Sequence, residues 1–235
     1  MTVTSSPRAI SVSTRHEPMN PAPPVTVART APYRTGRMFV TFEGLDRSGK
    51  TTQVELLRQA LEEAGREVVT TREPGGTELG EGIRELLLHG PAMSGWAEAA
   101  LFAAARAELV AEVIRPALER GAVVVSDRYL DSSLAYQGIA RGLGIESVLE
   151  LNLAVVGGLL PDVTFVLLVS PEEAERRFEG EPDRIERERS GFRAAVDTAY
   201  RELAQRFPER IVALDGSRPA EQVAAQVRER LGVPV

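Results

Sequence analysis

An α/β fold, with a parallel sheet of five strands covered by helices on both faces, is what this 235-residue sequence predicts. Three observations carry the prediction. Short apolar runs of strand type alternate with helical stretches from residue 38 to the C-terminal region. The connection between the first strand and the first helix reads Gly-Leu-Asp-Arg-Ser-Gly-Lys-Thr-Thr, residues 44–52, which fills the frame G-x-x-x-x-G-K-[ST] of a phosphate-binding P-loop. Finally, 43% of the residues are hydrophobic, enough for a sizeable core, yet no apolar run is long enough to span a bilayer.

Residues 1–37 are of a different material. They are rich in Ser, Thr and Pro, carry five arginines against the single acid Glu17, and lack apolar periodicity. This is the composition of a disordered extension, with Met38 as an alternative start. Arginine-rich and acid-poor is also the composition of a transit peptide, although six prolines oppose the amphipathic helix such a peptide needs. The domain proper is then 38–235. Its first strand, 38–42, runs into Gly44, and Thr51 opens a helix with Val54, Leu57, Leu61 and Ala64 on one face. A second strand, 67–71, ends in Arg72-Glu73-Pro74-Gly75-Gly76-Thr77, where Pro-Gly-Gly breaks regular structure and leaves the charged pair on a loop. Residues 77–89 read as a helix with Leu79, Ile83, Leu86 and Leu87 apolar, and 96–120 as one long alanine-rich helix carrying Phe102 and Arg106.

The third strand, 122–126, is followed by Asp127-Arg128-Tyr129, then by helices over 131–141 and 145–156. Residues 163–169 form the fourth strand and 171–178 a helix start. The segment 179–189 is dense in both charges and contains Gly180 and Pro182, the pattern of a solvated face or a short lid. A helix over 192–207, a strand at 211–214 and a helix over 219–231 complete the alternation. Ligands of such sheets lie at the carboxyl ends of the strands.

The P-loop frame assigns chemistry. Its backbone N–H groups can wrap a nucleotide's β-phosphate, Lys50 can span the β and γ groups, and the Thr51 hydroxyl is placed for Mg²⁺. Lys50 is the only lysine among 28 basic residues; the chain otherwise uses arginine for positive charge, and the two cations are not interchangeable at a phosphate. Asp127, an acid directly after a buried strand, stands where P-loop proteins place a second Mg²⁺-side carboxylate. With one lysine the guanine-reading Asn-Lys-x-Asp loop of GTPases cannot exist. No cysteine and two histidines exclude thiol nucleophiles and cysteine zinc sites, and a net charge of −6 excludes a general nucleic-acid-coating role.

Taken together, the run from Phe39 through Gly44, Lys50 and Gln53, the Arg72 to Thr77 loop, Asp127-Arg128-Tyr129 with Ser132 and Tyr136-Gln137, and Asp183-Arg184-Ile185-Glu186 resemble the motifs of thymidylate kinases, in the same order over residues 39–231. The resemblance implies a P-loop NTPase fold with a lid near 179–189, ATP and Mg²⁺ as cosubstrate and cofactor, dTMP as acceptor, a cytoplasmic homodimer, and no nucleic-acid or membrane partner; organelle targeting by residues 1–37 is the alternative location. It implies that Gly44, Leu45, Asp46, Arg47, Ser48, Gly49, Lys50, Thr51 and Thr52 hold the ATP phosphates, and that Thr51 and Asp127 serve the metal. Asp46 would accept from the deoxyribose 3′-hydroxyl, and Phe102 would stack on thymine. Arg106, one helical turn on, would donate to a thymine carbonyl. Arg72 and Arg128 would clamp the acceptor phosphate beside Ser132, Tyr136 would lie against the 2′ position, and Gln137 would read the base edge. Lys50, Arg47, Arg128 and Asp127 would carry catalysis. Some relatives place glycine at position 47 and supply lid arginines instead; this chain resembles the P-loop-arginine type, with Arg184 as the lid residue in question. Leu149, Leu153 and Val156 are candidates for a dimer face or for core. The rival readings are another nucleoside-monophosphate or deoxynucleoside kinase on the same scaffold, and a nucleotide-binding protein without turnover.

Overall fold

The structure, a computed structural model, describes residues 36–177, 181–188 and 190–234. Residues 1–35, and with them nearly all of the expected extension, lie outside the described residues, as do Glu179, Gly180 and Arg189 of the expected lid.

Five strands, β1 (Met38–Gly44), β2 (Val68–Arg72), β3 (Val123–Asp127), β4 (Val163–Leu168) and β5 (Ile211–Asp215), form one sheet in the order β2-β3-β1-β4-β5, every neighbouring pair parallel. The central strands are apolar without alternation because both of their faces are covered. On one face Val40, Phe42, Val123, Val125 and Phe165 meet α1 (Lys50–Glu63) through Val54, Leu57 and Leu61, and α9 (Ala220–Leu231) through Val223 and Val227. On the other, Phe39, Val124 and Val166 share a core with Leu109, Ile114 and Leu134 and with Val196, Tyr200 and Leu203 of α8 (Ser190–Arg206). Register does the positioning. Phe42 of β1 and Arg72 of β2 both lie opposite Asp127 of β3, so the loop after β1, the arginine ending β2 and the acid ending β3 converge at one edge.

The helices depart from the sequence reading in instructive places. Thr77 is the cap rather than the first turn of α2 (Glu78–His89), its Oγ1 accepting the Gly80 N–H at 3.0 Å. Only Ile83 and Leu87 of its expected apolar face are buried; Leu79 and Leu86 are 53% and 51% exposed. Helix α3 (Gly95–Leu109) covers one side of α2, with Ala105 in the shared cluster, and leaves the other open. The expected long helix 96–120 continues from α3 through a π-helical segment, Val110–Ile114, into α4 (Arg115–Glu119). Pro116 supplies the reason: it has no N–H for the carbonyl of Glu112, and its ring crowds that carbonyl, so the turn widens. Likewise the stretch expected as a helix over 131–141 is α5 (Leu130–Ser133) followed by a π-helical segment, Leu134–Ala140, which carries Tyr136 and Gln137. In α6 (Ile145–Val156) Val156 belongs to the core, whereas Leu149 is partly buried against it. Helix α7 (Pro171–Arg176) is capped by Ser170. No helix among the described residues is long and apolar enough to cross a membrane.

Candidate active site

Gly44 and Gly49 shape the first wall. A Cβ on Gly44, at φ +135°, would lie 2.5 Å from the Leu167 carbonyl oxygen, so only glycine lets the chain leave β1 this close to β4. Gly49, at φ +100°, is the N-cap of α1 and offers no side-chain cap, which leaves the first N–H groups of the helix for an anion. Lys50 is buried, its Nζ donating to the carbonyls of Leu45 (2.8 Å) and Gly44 (3.3 Å). Burial depresses its pKa to about 8, aided by Arg128 and opposed by Asp46 and Asp127. An ammonium with so little hydration has much to gain from a phosphate. The Thr51 hydroxyl donates to Asp127 Oδ2 at 2.6 Å, so a hydroxyl and a carboxylate oxygen meet beside the lysine. These are hard oxygen donors of the kind Mg²⁺ prefers, and too few for an all-protein cage, as suits an ion that keeps waters and phosphate oxygens as ligands.

A cavity of about 490 Å³ opens over this loop, within the size range of small-ligand sites. It is lined from the P-loop by Asp46, Arg47, Gly49, Lys50, Thr51 and Thr52, from the β2 end by Arg72, and from the β3 end by Asp127 and Arg128. Phe102 of α3, with Ser132, Tyr136 and Gln137, forms the far wall, and Asp183 and Ile185 the lid side. Most of the sequence-predicted residues therefore share one space. Leu45 and Ser48 sit behind it, buried. Arg47 and Arg128 are the only non-glycine residues with positive φ among those described, at 65° and 74°. That left-handed backbone carries a cost for an L-residue, and such costs concentrate at functional sites. Arg128 is fixed by Asp46 (2.5 Å), Ser132 Oγ (3.0 Å) and Tyr200 (3.2 Å), with its guanidinium 5.4 Å from the Tyr136 ring centre. Burial works to raise the Asp46 pKa, but Arg128 and Lys50 outweigh it and hold the carboxyl at about 2. Arg72 pairs with Glu81 at 3.0 Å on the exposed side of the cavity. Arg47 reaches Glu186 of the lid at 3.4 Å.

One expectation needs correction. Arg106 does not reach the cavity. It is 0% exposed, and all five of its N–H groups are committed: to Glu73, Ser133, Asn152 and the Tyr129 carbonyl. Sharing a helix face with Phe102 fixed its direction but not its depth, and what it presents to the cavity is Ser133, which does line the wall. Arg184, the lid residue in question beside the P-loop Arg47, points away from the P-loop toward α2 and α3. Its Nε donates to the Leu87 carbonyl at 2.7 Å and its Nη2 pairs with Glu98 at 2.8 Å, so it fastens the lid to α2 and α3.

Sequence reasoning also missed residues. Glu43, wholly buried, accepts from the Tyr129 and Ser132 N–H groups and from the Ser132 and Tyr200 hydroxyls, and so sets the loop that carries Arg128. An acid inside an otherwise apolar buried strand was the available clue. Arg84 of α2 lines the cavity and donates to the Pro74 carbonyl at 2.9 Å; an arginine on a solvated helix gives no such clue.

With this geometry in view, the comparisons fall into line. The family model described as thymidylate kinase matches residues 42–227. A thymidylate kinase of Bifidobacterium longum subsp. infantis is 51% identical over 191 residues, 79% of this chain and 82% of that protein. One from Leifsonia xyli subsp. xyli is 50% identical over 206 residues, 86% of this chain and 98% of that protein. The crystal structure of thymidylate kinase from Ehrlichia chaffeensis superposes with a TM-score of 0.69 at 34% identity, covering 83% of this chain and 99% of that one.

Proposed function

The chain belongs to the thymidylate kinase family, and from that premise we propose how its residues divide the work. The reaction transfers the γ-phosphoryl group of ATP to dTMP, giving dTDP and ADP, with Mg²⁺ as cofactor. The observation that carries the residue assignment is that the P-loop cations, the Thr51–Asp127 pair and an aromatic wall border one cavity.

An oxygen of the dTMP phosphate attacks the γ-phosphorus as the bond to the bridging oxygen of ADP breaks. The attacking phosphate has a second pKa near 6 and is largely dianionic at neutral pH, so no general base is required. When bound, Mg²⁺ neutralises charge on the phosphate oxygens, and Thr51 and Asp127 are the residues that would hold it. The protein's own part is positioning and charge. Lys50 and the N–H groups after Gly49 hold the β and γ phosphates. Arg47 and Arg128, both held in left-handed backbone and both lining the cavity, face the transferred group, and their charge stabilises what develops there. Arg72 and Arg128 orient the acceptor phosphate, and Asp46, kept ionised by Arg128, accepts from the 3′-hydroxyl. Phe102 takes the face of the base, Tyr136 the 2′ side of the sugar, and Gln137 and Ser133 the base edge.

Residues 38–235 form the catalytic domain in this reading, residues 1–37 are an appended extension, and the cytoplasm is the place of action. The protein acts as a homodimer. Support comes from membership of the family and from three large apolar side chains left exposed, Leu79 and Leu86 on α2 and Trp96 on α3. Light scattering on the purified protein tests that assignment, and a monomer at micromolar concentration refutes it. The residue assignment is tested by ADP release with ATP·Mg²⁺ and dTMP, dUMP, dCMP, AMP, GMP or thymidine in wild type and in Phe102→Ala, Tyr136→Phe and Arg128→Lys. A raised KM for dTMP in the first, with the ATP KM unchanged, supports the base site; an unchanged KM refutes it.

A further inference from the structure

Glu98 lies one helical turn before Phe102 on α3, buried, and does not line the cavity. Its carboxylate is a hub. Oε1 accepts from Gln137 Nε2 at 2.8 Å and Arg141 Nε at 3.2 Å, while Oε2 accepts from Arg141 Nη2 at 3.1 Å and faces Arg184 Nη2 at 2.8 Å. Two guanidinium groups on one carboxylate keep it ionised, and an ionised carboxylate only accepts hydrogen bonds. Gln137 must therefore turn its amide nitrogen toward Glu98. Its amide oxygen takes no hydrogen bond among the described residues, and Gln137 lines the cavity beside Phe102. A matching constraint acts on the opposite side. Arg106 can only donate, so Ser133 Oγ accepts from it at 3.1 Å and keeps its own proton to give.

We propose that Glu98 is a positioning residue for acceptor choice: by fixing the Gln137 amide with its carbonyl toward the cavity, it makes the base wall complementary to a pyrimidine carrying a ring N–H next to a carbonyl. Gln137 accepts from that N–H and Ser133 donates to the carbonyl. Thymine and uracil present this edge. Cytosine presents a ring lone pair next to an amino group, and meets an acceptor with an acceptor and a donor with a donor. The selectivity is thus imposed from behind the wall by charges that cannot reverse their role, whereas a free amide could flip and serve either base. The inference rests on the base lying against Phe102.

The test is Glu98→Gln, which keeps shape and removes the acceptor-only charge. The kcat/KM preference for dTMP over dCMP falls about tenfold or more, the worth of one hydrogen bond made or mismatched, while the preference for dTMP over dUMP, which share the same edge, stays as in wild type. In a Gln137→Leu background E98Q has no further effect on the dTMP-to-dCMP ratio, because the role runs through Gln137. An unchanged ratio in E98Q overturns the proposal, as does a fall of equal size in both backgrounds. A parallel drop in the dUMP comparison also overturns it, marking general loosening. Should E98Q not fold, Gln137→Leu alone must lose the preference for dTMP over dCMP and keep that over dUMP, and failure of either is equally decisive. Phe102→Ala separates the premises: if its KM for dTMP is unchanged, the base does not lie there; if it rises while E98Q leaves the ratio intact, only the role of Glu98 is lost.

Discussion

Replacing Glu43 with glutamine tests the buried hub that holds the Arg128 loop. The carboxyl is wholly buried. Desolvation, against the pull of Arg128 and with a further push from Asp131, raises its pKa from an ordinary 4.5 to about 7. A folded carboxyl with the higher pKa binds more protons than the unfolded one between those values, so its contribution to stability is fully present below about pH 4.5 and is lost as pH rises through about 7. At 1.36 kcal/mol per pKa unit, the part falling between about pH 5 and about pH 8 is roughly 2 to 3 kcal/mol. Glutamine cannot titrate, and its amide oxygen can still accept from the Tyr129 and Ser132 N–H groups, now 2.8 and 3.1 Å from the carboxylate. Urea unfolding of both proteins at the two pH values cancels the other titrating groups. The stability of wild type relative to E43Q falls by roughly 2 to 3 kcal/mol from the lower pH to the higher. A difference that stays constant within about 0.5 kcal/mol refutes the reasoning, since the carboxyl would then titrate alike in both states.

Three further outcomes are expected. Arg47→Gly lowers kcat about a hundredfold or more with little change in the KM for dTMP, and because φ is 65° there, glycine fits without strain and thermal stability holds; near-wild-type turnover would return the role to lid arginines. Lys50→Met lowers kcat by about 10² to 10³ without lowering the melting temperature, because the ammonium it removes is penalised by burial in the unliganded fold; a melting temperature that drops by several degrees contradicts that account. Deleting residues 1–35 leaves kcat and KM for dTMP within about twofold of the full chain, and a larger loss in steady-state assays would give the extension a place in the site.

Much of the molecule was legible in advance because its signals are local. Apolar runs of strand length, a P-loop frame between strand and helix, and Asp127 directly after a buried strand depend on neighbours a few residues away, and each appears in the structure at or near its expected place. Parallel pairing then brings Gly44, Arg72 and Asp127 together, since ligands of such sheets gather at the carboxyl ends. Helix interiors were less legible: one helix read over 96–120 passes over Pro116, a break signal, and nothing local marks the π-helical segment carrying Tyr136 and Gln137.

What the sequence by itself determined was the kind of site, a phosphate loop with arginines at the ends of the neighbouring strands, because phosphate chemistry demands particular residues at particular spacings. Only the tertiary structure decided which charges face the ligand and which stand behind the wall. Arg106 and Phe102 share a helical face by spacing, yet Glu73, Ser133 and Asn152, from three other segments, draw the arginine into the core. Glu43 meets Tyr200 across 157 positions of chain, and Arg184 pairs with Glu98, 86 residues before it. Buried charge must be paired wherever a partner is brought near, and which partner is near is settled by the packing of the whole chain.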